Sequence, residues 1–166
     1  MAFKSVDEIF NFDFQDATVN NVKINDEGIS FNLEALIVES ENSQNENFTK
    51  SYAGTTKVKL ESGKIISAIR DGYRQYDAND KLINEVEDTV LDKDQAKLIF
   101  KNVNGAYLYA MDLCPESTDE LFVYNICIEF PNEEEYDTSV TKSYQFKVSF
   151  IHSTFSWDNY MNRVQS

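Results

Sequence analysis

Residues 22–38 read Val22-Lys23-Ile24-Asn25-Asp26-Glu27-Gly28-Ile29-Ser30-Phe31-Asn32-Leu33-Glu34-Ala35-Leu36-Ile37-Val38. Val22 and Ile24 flank Lys23. Beyond Asp26-Glu27-Gly28, the apolar residues Ile29, Phe31, Leu33, Ala35 and Ile37 alternate with Ser30, Asn32 and Glu34. Strand side chains point to opposite faces in turn, so period-2 alternation around an acidic turn with glycine predicts an antiparallel hairpin with one buried face.

Upstream, Ser5-Val6-Asp7-Glu8 has the form of a capping box and predicts a turn or two of helix with Val6, Ile9 and Phe10 on one face. Phe10, Phe12 and Phe14 alternate with polar neighbours and read as extended, with Asp16 closing a turn. Downstream, residues 39–50 (ESENSQNENFTK) are polar and aperiodic, which predicts a long, mobile surface loop. Thr56, Val58 and Leu60 then alternate, Glu61-Ser62-Gly63 turns, and residues 64–69 are expected to return as the partner strand. Tyr73 and Tyr76 lead into a turn at residues 77–80, followed by Leu82, Ile83 and Val86.

Leu98 and Phe100 read as a strand entering an Asn104-Gly105 hairpin, with Tyr107 and Tyr109 on the returning strand. Residues 121–130 (LFVYNICIEF) are almost continuously apolar, as in a central strand covered on both sides. Residues 131–141 form a second polar, acidic loop. Tyr144, Phe146, Val148 and Phe150 make another clean strand, and Ser153 or Ser156 is placed to cap a short terminal helix. These elements predict a single antiparallel all-β domain over residues 1–166, a sandwich or partly closed barrel built from hairpins, with short helices confined to the termini.

Composition narrows the function classes. Fifteen basic residues stand against 29 acidic ones, a formal charge of −14. Phosphate neutralisation needs clustered Lys and Arg, so neither nucleic acid nor an anionic membrane is an expected partner; a basic protein is. No apolar run is long enough to span a bilayer. The opening MAFKSVDEIFNFDF lacks a basic stretch followed by an apolar one, so a cytoplasmic location is expected.

Candidate chemistry is sparse. His152 is the only histidine. It continues the Tyr144-to-Phe150 period, which predicts a place at the rim of the core, and no Ser or Cys signature accompanies it. Cys114 and Cys127 have no metal-ligand spacing and are expected as buried thiols. Asp77-Ala78-Asn79-Asp80 begins like a calcium loop, but Leu82 occupies the glycine position and Lys81 a ligand position, so a plain turn is expected. Five scattered glycines make no phosphate cradle, and neither metal nor cofactor is expected.

What remains is surface. Glu133, Glu134, Glu135 and Asp137 form an acidic patch around Tyr136, and Trp157 and Tyr160 supply aromatic anchors of the kind that interfaces use. The function expected is therefore a non-catalytic protein-binding module, such as an inhibitor or immunity-type protein, with residues 39–50 and 131–141 as contact loops. A small-molecule carrier with an aromatic-lined barrel, and an enzyme using paired carboxylates, are the alternatives.

Overall fold

The Asp26-Glu27 turn joins two strands as the alternation predicts, because Asn25 pairs with Gly28 and Ile24 with Ile29. The computed structural model describes residues 2–131 and 142–164. Among these residues lie β1 (Phe3–Val6), a 3-10 turn (Ile9–Asn11), β2 (Phe12–Asp13), β3 (Thr18–Asn25), β4 (Gly28–Glu34), β5 (Ile37–Val38), β6 (Ser51–Ala53), β7 (Thr56–Glu61), β8 (Lys64–Arg70), β9 (Tyr73–Tyr76), β10 (Leu82–Val86) and β11 (Thr89–Leu91). Then follow α1 (Lys93–Phe100), β12 (Tyr107–Leu113), β13 (Phe122–Glu129), β14 (Ser143–Phe150), β15 (Ser153–Trp157) and β16 (Tyr160–Arg163). The fold is all-β and antiparallel. No helix among the described residues is long and apolar enough to cross a membrane.

Among the described residues, ten strands form one sheet in the order β1-β15-β7-β4-β3-β12-β13-β14-β8-β11, and β16-β6-β5-β2 form a second sheet of four. The β3–β4 hairpin contributes Val19, Ile29, Phe31 and Leu33 to the core. Val19 and Val22 share that face only because of a bulge: Asn21 and Val22 together oppose Phe31, with Asn21 in the left-handed region at φ 54°. Gly28 lies at φ 135°, and a Cβ there would sit 2.1 Å from the Leu60 carbonyl oxygen, so β7 can approach only a glycine.

The alternation expected to run on through Ala35 stops there. Ala35 takes φ 57°, Leu36 is buried in its place, and the redirected chain delivers Ile37 and Val38 to the second sheet. One left-handed residue thus moves the chain from one sheet to the other.

The expected β7–β8 hairpin does not form. β7 pairs with β4 and β15, whereas β8 pairs with β14 and β11. Yet only Ser62 and Gly63 separate them, and two residues plus their flanking bonds span about 10 Å at most. The third and ninth strands of the sheet therefore meet at their ends, so the sheet is strongly curled but not closed by a ladder. Phe100 fills the curl, touching Phe31 of β4 (6.2 Å between ring centroids) and Phe146 of β14 (5.0 Å).

Phe100 also corrects a second expectation. Residues 93–100 are a helix, not a strand, and lie in the middle of the chain rather than at a terminus. Asp92 caps it: its carboxylate accepts the Gln95 backbone N–H at 2.8 Å while the Gln95 side chain accepts the Asp92 N–H. Ala96 and Phe100, four apart, face inward, and Leu98 faces solvent. The expected terminal helix is likewise a strand, since Ser153, Phe155 and Trp157 are buried with period 2 in β15. At the other terminus the Ser5–Glu8 segment supports only the 3-10 turn, because Ser5 belongs to β1 and Asp7 takes φ 55°. The central strand β13 and the strand β14 stand as expected, with Ile126, Ile128, Tyr144, Phe146 and Val148 in one core.

Candidate protein-docking face

Residues 39–50 connect β5 to β6 and are held in place by asparagines. The Asn45 side-chain amide lies within hydrogen-bond distance of the carbonyls of Val38 (3.2 Å), Glu39 (3.0 Å) and Thr49 (2.9 Å), so it spans both ends of the loop. Asn42, which is buried, donates to Ser5 Oγ and the Asn11 carbonyl. Both also turn the backbone locally, Asn42 Oδ1 accepting from the Gln44 N–H and Asn45 Oδ1 from the Asn47 N–H. The loop expected to be mobile is therefore tied down by its own polar residues.

Glu8 anchors it from below. Its carboxylate accepts from Ser5 Oγ (2.6 Å), the Ser43 backbone N–H (2.9 Å), Ser43 Oγ (2.5 Å) and Asn11 Nδ2 (3.4 Å). Burial works against the charge, but the hydrogen bonds from Ser43, Ser5 and Asn11 outweigh it and hold Glu8 below the usual carboxylate range. Lys50 closes the far end, bridging Glu39 at 3.3 Å and Asp13 at 3.6 Å.

The two expected aromatic anchors form the loop's foundation. Tyr160 donates its hydroxyl to the Gln44 carbonyl at 2.7 Å, and burial pushes its pKa up to about 12. Trp157 is fully buried, 5.9 Å from Tyr160 and 5.7 Å from Phe3 between ring centroids. It is a core residue supporting the loop and offers no surface of its own. Glu133, Glu134, Glu135, Tyr136 and Asp137 lie outside the described residues.

On this rigid base stands Phe48. Its side chain is 90% exposed, and its backbone sits at φ 59°, a region that bulky L residues rarely adopt. Phe10, on the adjoining 3-10 turn, is 75% exposed. The two segments are linked, since Asn11 donates to the Glu41 carbonyl and accepts the Glu39 N–H. Exposed Glu41 and Glu46 give the loop an acidic border. Phe48 is legible in the sequence only as a single large aromatic in an otherwise polar stretch; its strained backbone leaves no sequence signal.

The residues weighed for catalysis or metal binding are each held by nearby groups. His152 lies in the turn between β14 and β15 rather than on the apolar face, because the strand ends at Phe150. Its Nδ1 lies 2.8 Å from Asp7 Oδ2, and Asp7 Oδ1 accepts the Ser153 N–H. Both cysteines are free and buried, and burial with Asp112 nearby pushes the Cys127 thiol up to about 11, so it stays protonated at neutral pH. Asp77 directs its carboxylate to the N–H groups of Asn79 and Lys81, as a plain turn requires. Comparison with known proteins adds no relationship: no family model matches the chain, and neither a curated protein nor a solved structure is significantly similar to it.

Proposed function

We propose that this protein is a non-catalytic, cytoplasmic protein-binding module that holds a basic partner, in the manner of an inhibitor or immunity protein. The observation that carries this reading is Phe48: a large aromatic, almost wholly in water, displayed on a strained residue of a loop that seven or more hydrogen bonds immobilise. Strained residues persist where the surroundings over-determine them and gather at functional sites. A pre-ordered aromatic anchor loses little conformational freedom on binding, and buried aromatics dominate interface energetics.

Charge supports the choice of partner. A protein at −14 attracts a basic surface from a distance and accelerates encounter with it. Exposed Glu41 and Glu46, in the same loop as Phe48, would form an acidic rim of the interface. The test is capture from the source cell's lysate on immobilised protein at low and at moderate salt. A basic protein retained in stoichiometric amount and released as salt rises supports the reading; retention that ignores salt, or of no basic protein, contradicts it.

A further inference from the structure

Residues 64–91 form one long hairpin arm, and only half of it belongs to the sheet. β8 and β11 pair through Ala68–Leu91, Ile69–Val90 and Arg70–Thr89 and make the last rung of the ten-stranded sheet. Beyond Asp71-Gly72 and Glu87-Asp88 the same two segments continue as β9 and β10, which among the described residues pair only with each other. The joint is built. The Gly72 N–H donates to Asp88 Oδ1 at 2.6 Å, and a Cβ on Gly72 would lie 2.1 Å from the Val86 carbonyl oxygen, so the crossing tolerates no side chain.

The projecting half leaves the apolar side chains Tyr76, Leu82, Ile83 and Val86 in water. Every residue of β10 is exposed, with Ile83, the extra residue of a bulge, at 63%; Val90, where the arm joins the sheet, is 75% exposed. A two-stranded hairpin is marginal in water without an apolar face to cover. The outer edge of β10 and β11, residues 82–91, carries no strand among the described residues. That is roughly 30 Å of open backbone donors and acceptors, a form of edge that proteins usually shorten or cover.

Charge selects what pairs with it. Residues 73–91 hold Asp77, Asp80, Glu85, Glu87 and Asp88 against Arg74 and Lys81, and Arg74 is already engaged by Glu85 at 2.9 Å. A second copy of the chain would bring this same acidic edge against itself, with like charges on neighbouring strands. A strand carrying basic residues between apolar ones matches both features.

We propose that the outer edge of β10–β11 is a strand-addition site for an extended protein segment with alternating basic and apolar residues. Main-chain bonds to residues 82–91 supply the pairing, and the acidic side chains select the sequence. This site is separate from the Phe48 loop and stands whether or not that loop binds a partner.

The test uses the full chain and two ten-residue peptides, one alternating Lys with Val and Thr and the other with Glu in place of Lys. Hydrogen exchange is followed residue by residue. The basic peptide is expected to slow exchange of residues 82–91 by about tenfold at saturation, to bind roughly two- to fivefold more weakly to Glu87→Lys, and to bind Phe48→Ala as it binds the wild type. Failure of the basic peptide to protect this edge at millimolar concentration overturns the proposal. So does equal binding of the acidic peptide, or a concentration-dependent dimer whose edge is protected without any peptide.

Discussion

Glu8 and Ser43 lie 35 residues apart in sequence and are joined twice: Glu8 Oε1 accepts the Ser43 backbone N–H at 2.9 Å, and Oε2 accepts the Ser43 hydroxyl at 2.5 Å. This pair ties the loop that displays Phe48 to the base of the fold. It also makes the loop's order depend on an ionised carboxylate.

Glu8→Gln is expected to destabilise the protein by about 1 kcal/mol, the usual scale for losing hydrogen bonds to a charged group that water partly screens. Residues 39–50 should then exchange their amides faster while β13 and β14 do not. The pH dependence has a definite sign. Glu8 is lowered in the folded state, so its contribution is present above the ordinary glutamate pKa and is lost as pH falls through the lower folded value. Denaturation at pH values from 6 to 3, compared with Glu8→Gln, isolates it: the variant lacks this part of the acid loss.

Phe48→Gly separates strain from function. Glycine adopts φ 59° without the steric cost that phenylalanine bears, and the exposed ring contributes no core burial. The variant is expected to be as stable as the wild type or more so, by up to about 1 kcal/mol, while binding to a captured partner falls. Chemical denaturation and retention on the column, measured together, check the two opposite signs.

Phe100→Ala is expected to cost about 3–5 kcal/mol, because the ring fills the space between β4 and β14. Leu98→Lys, on the exposed side of the same helix, should stay within about 0.5 kcal/mol of wild type. A strand through residues 97–101 would instead put Leu98 and Phe100 on one face and make both substitutions costly.

How far the fold could be read from sequence depended on whether the deciding interaction was local. β3–β4 and β14 announced themselves because each buries one face along its own length, so that residues such as Phe31 and Phe146 recur with period 2, and β13 by its almost continuous apolar run, covered on both sides. The helix at 93–100 was hidden by its brevity: Leu98 and Phe100 alternate as in a strand, although Asp92 and Gln95 had the spacing of a capping box. The departure of β8 from β7 was not legible at all, since its partners β14 and β11 lie elsewhere in the chain and a two-residue turn looks like a hairpin. For the candidate site, the loop's polarity was visible, as were Tyr160 and Trp157 as aromatics. Their use as its foundation was not, because that depends on Asn42, Asn45 and Glu8 meeting across distant segments.

His152 supplies a further pH dependence of opposite sign. The Asp7 hydrogen bond and charge hold the imidazole above its usual range. Its contribution is therefore complete below the unfolded histidine pKa and disappears as pH rises through the folded value. An NMR titration of the His152 ring should give a midpoint higher than in Asp7→Asn, and His152→Gln should flatten this part of the stability profile.

The most direct measurement is side-by-side capture from the source lysate on wild-type protein and on Phe48→Ala, at matched loading and two salt concentrations. An interface anchored by Phe48 predicts one basic protein, retained in stoichiometric amount by the wild type, depleted at the higher salt and largely lost by the variant. Equal retention by the two proteins, or the absence of any basic protein from the wild-type column, would contradict it.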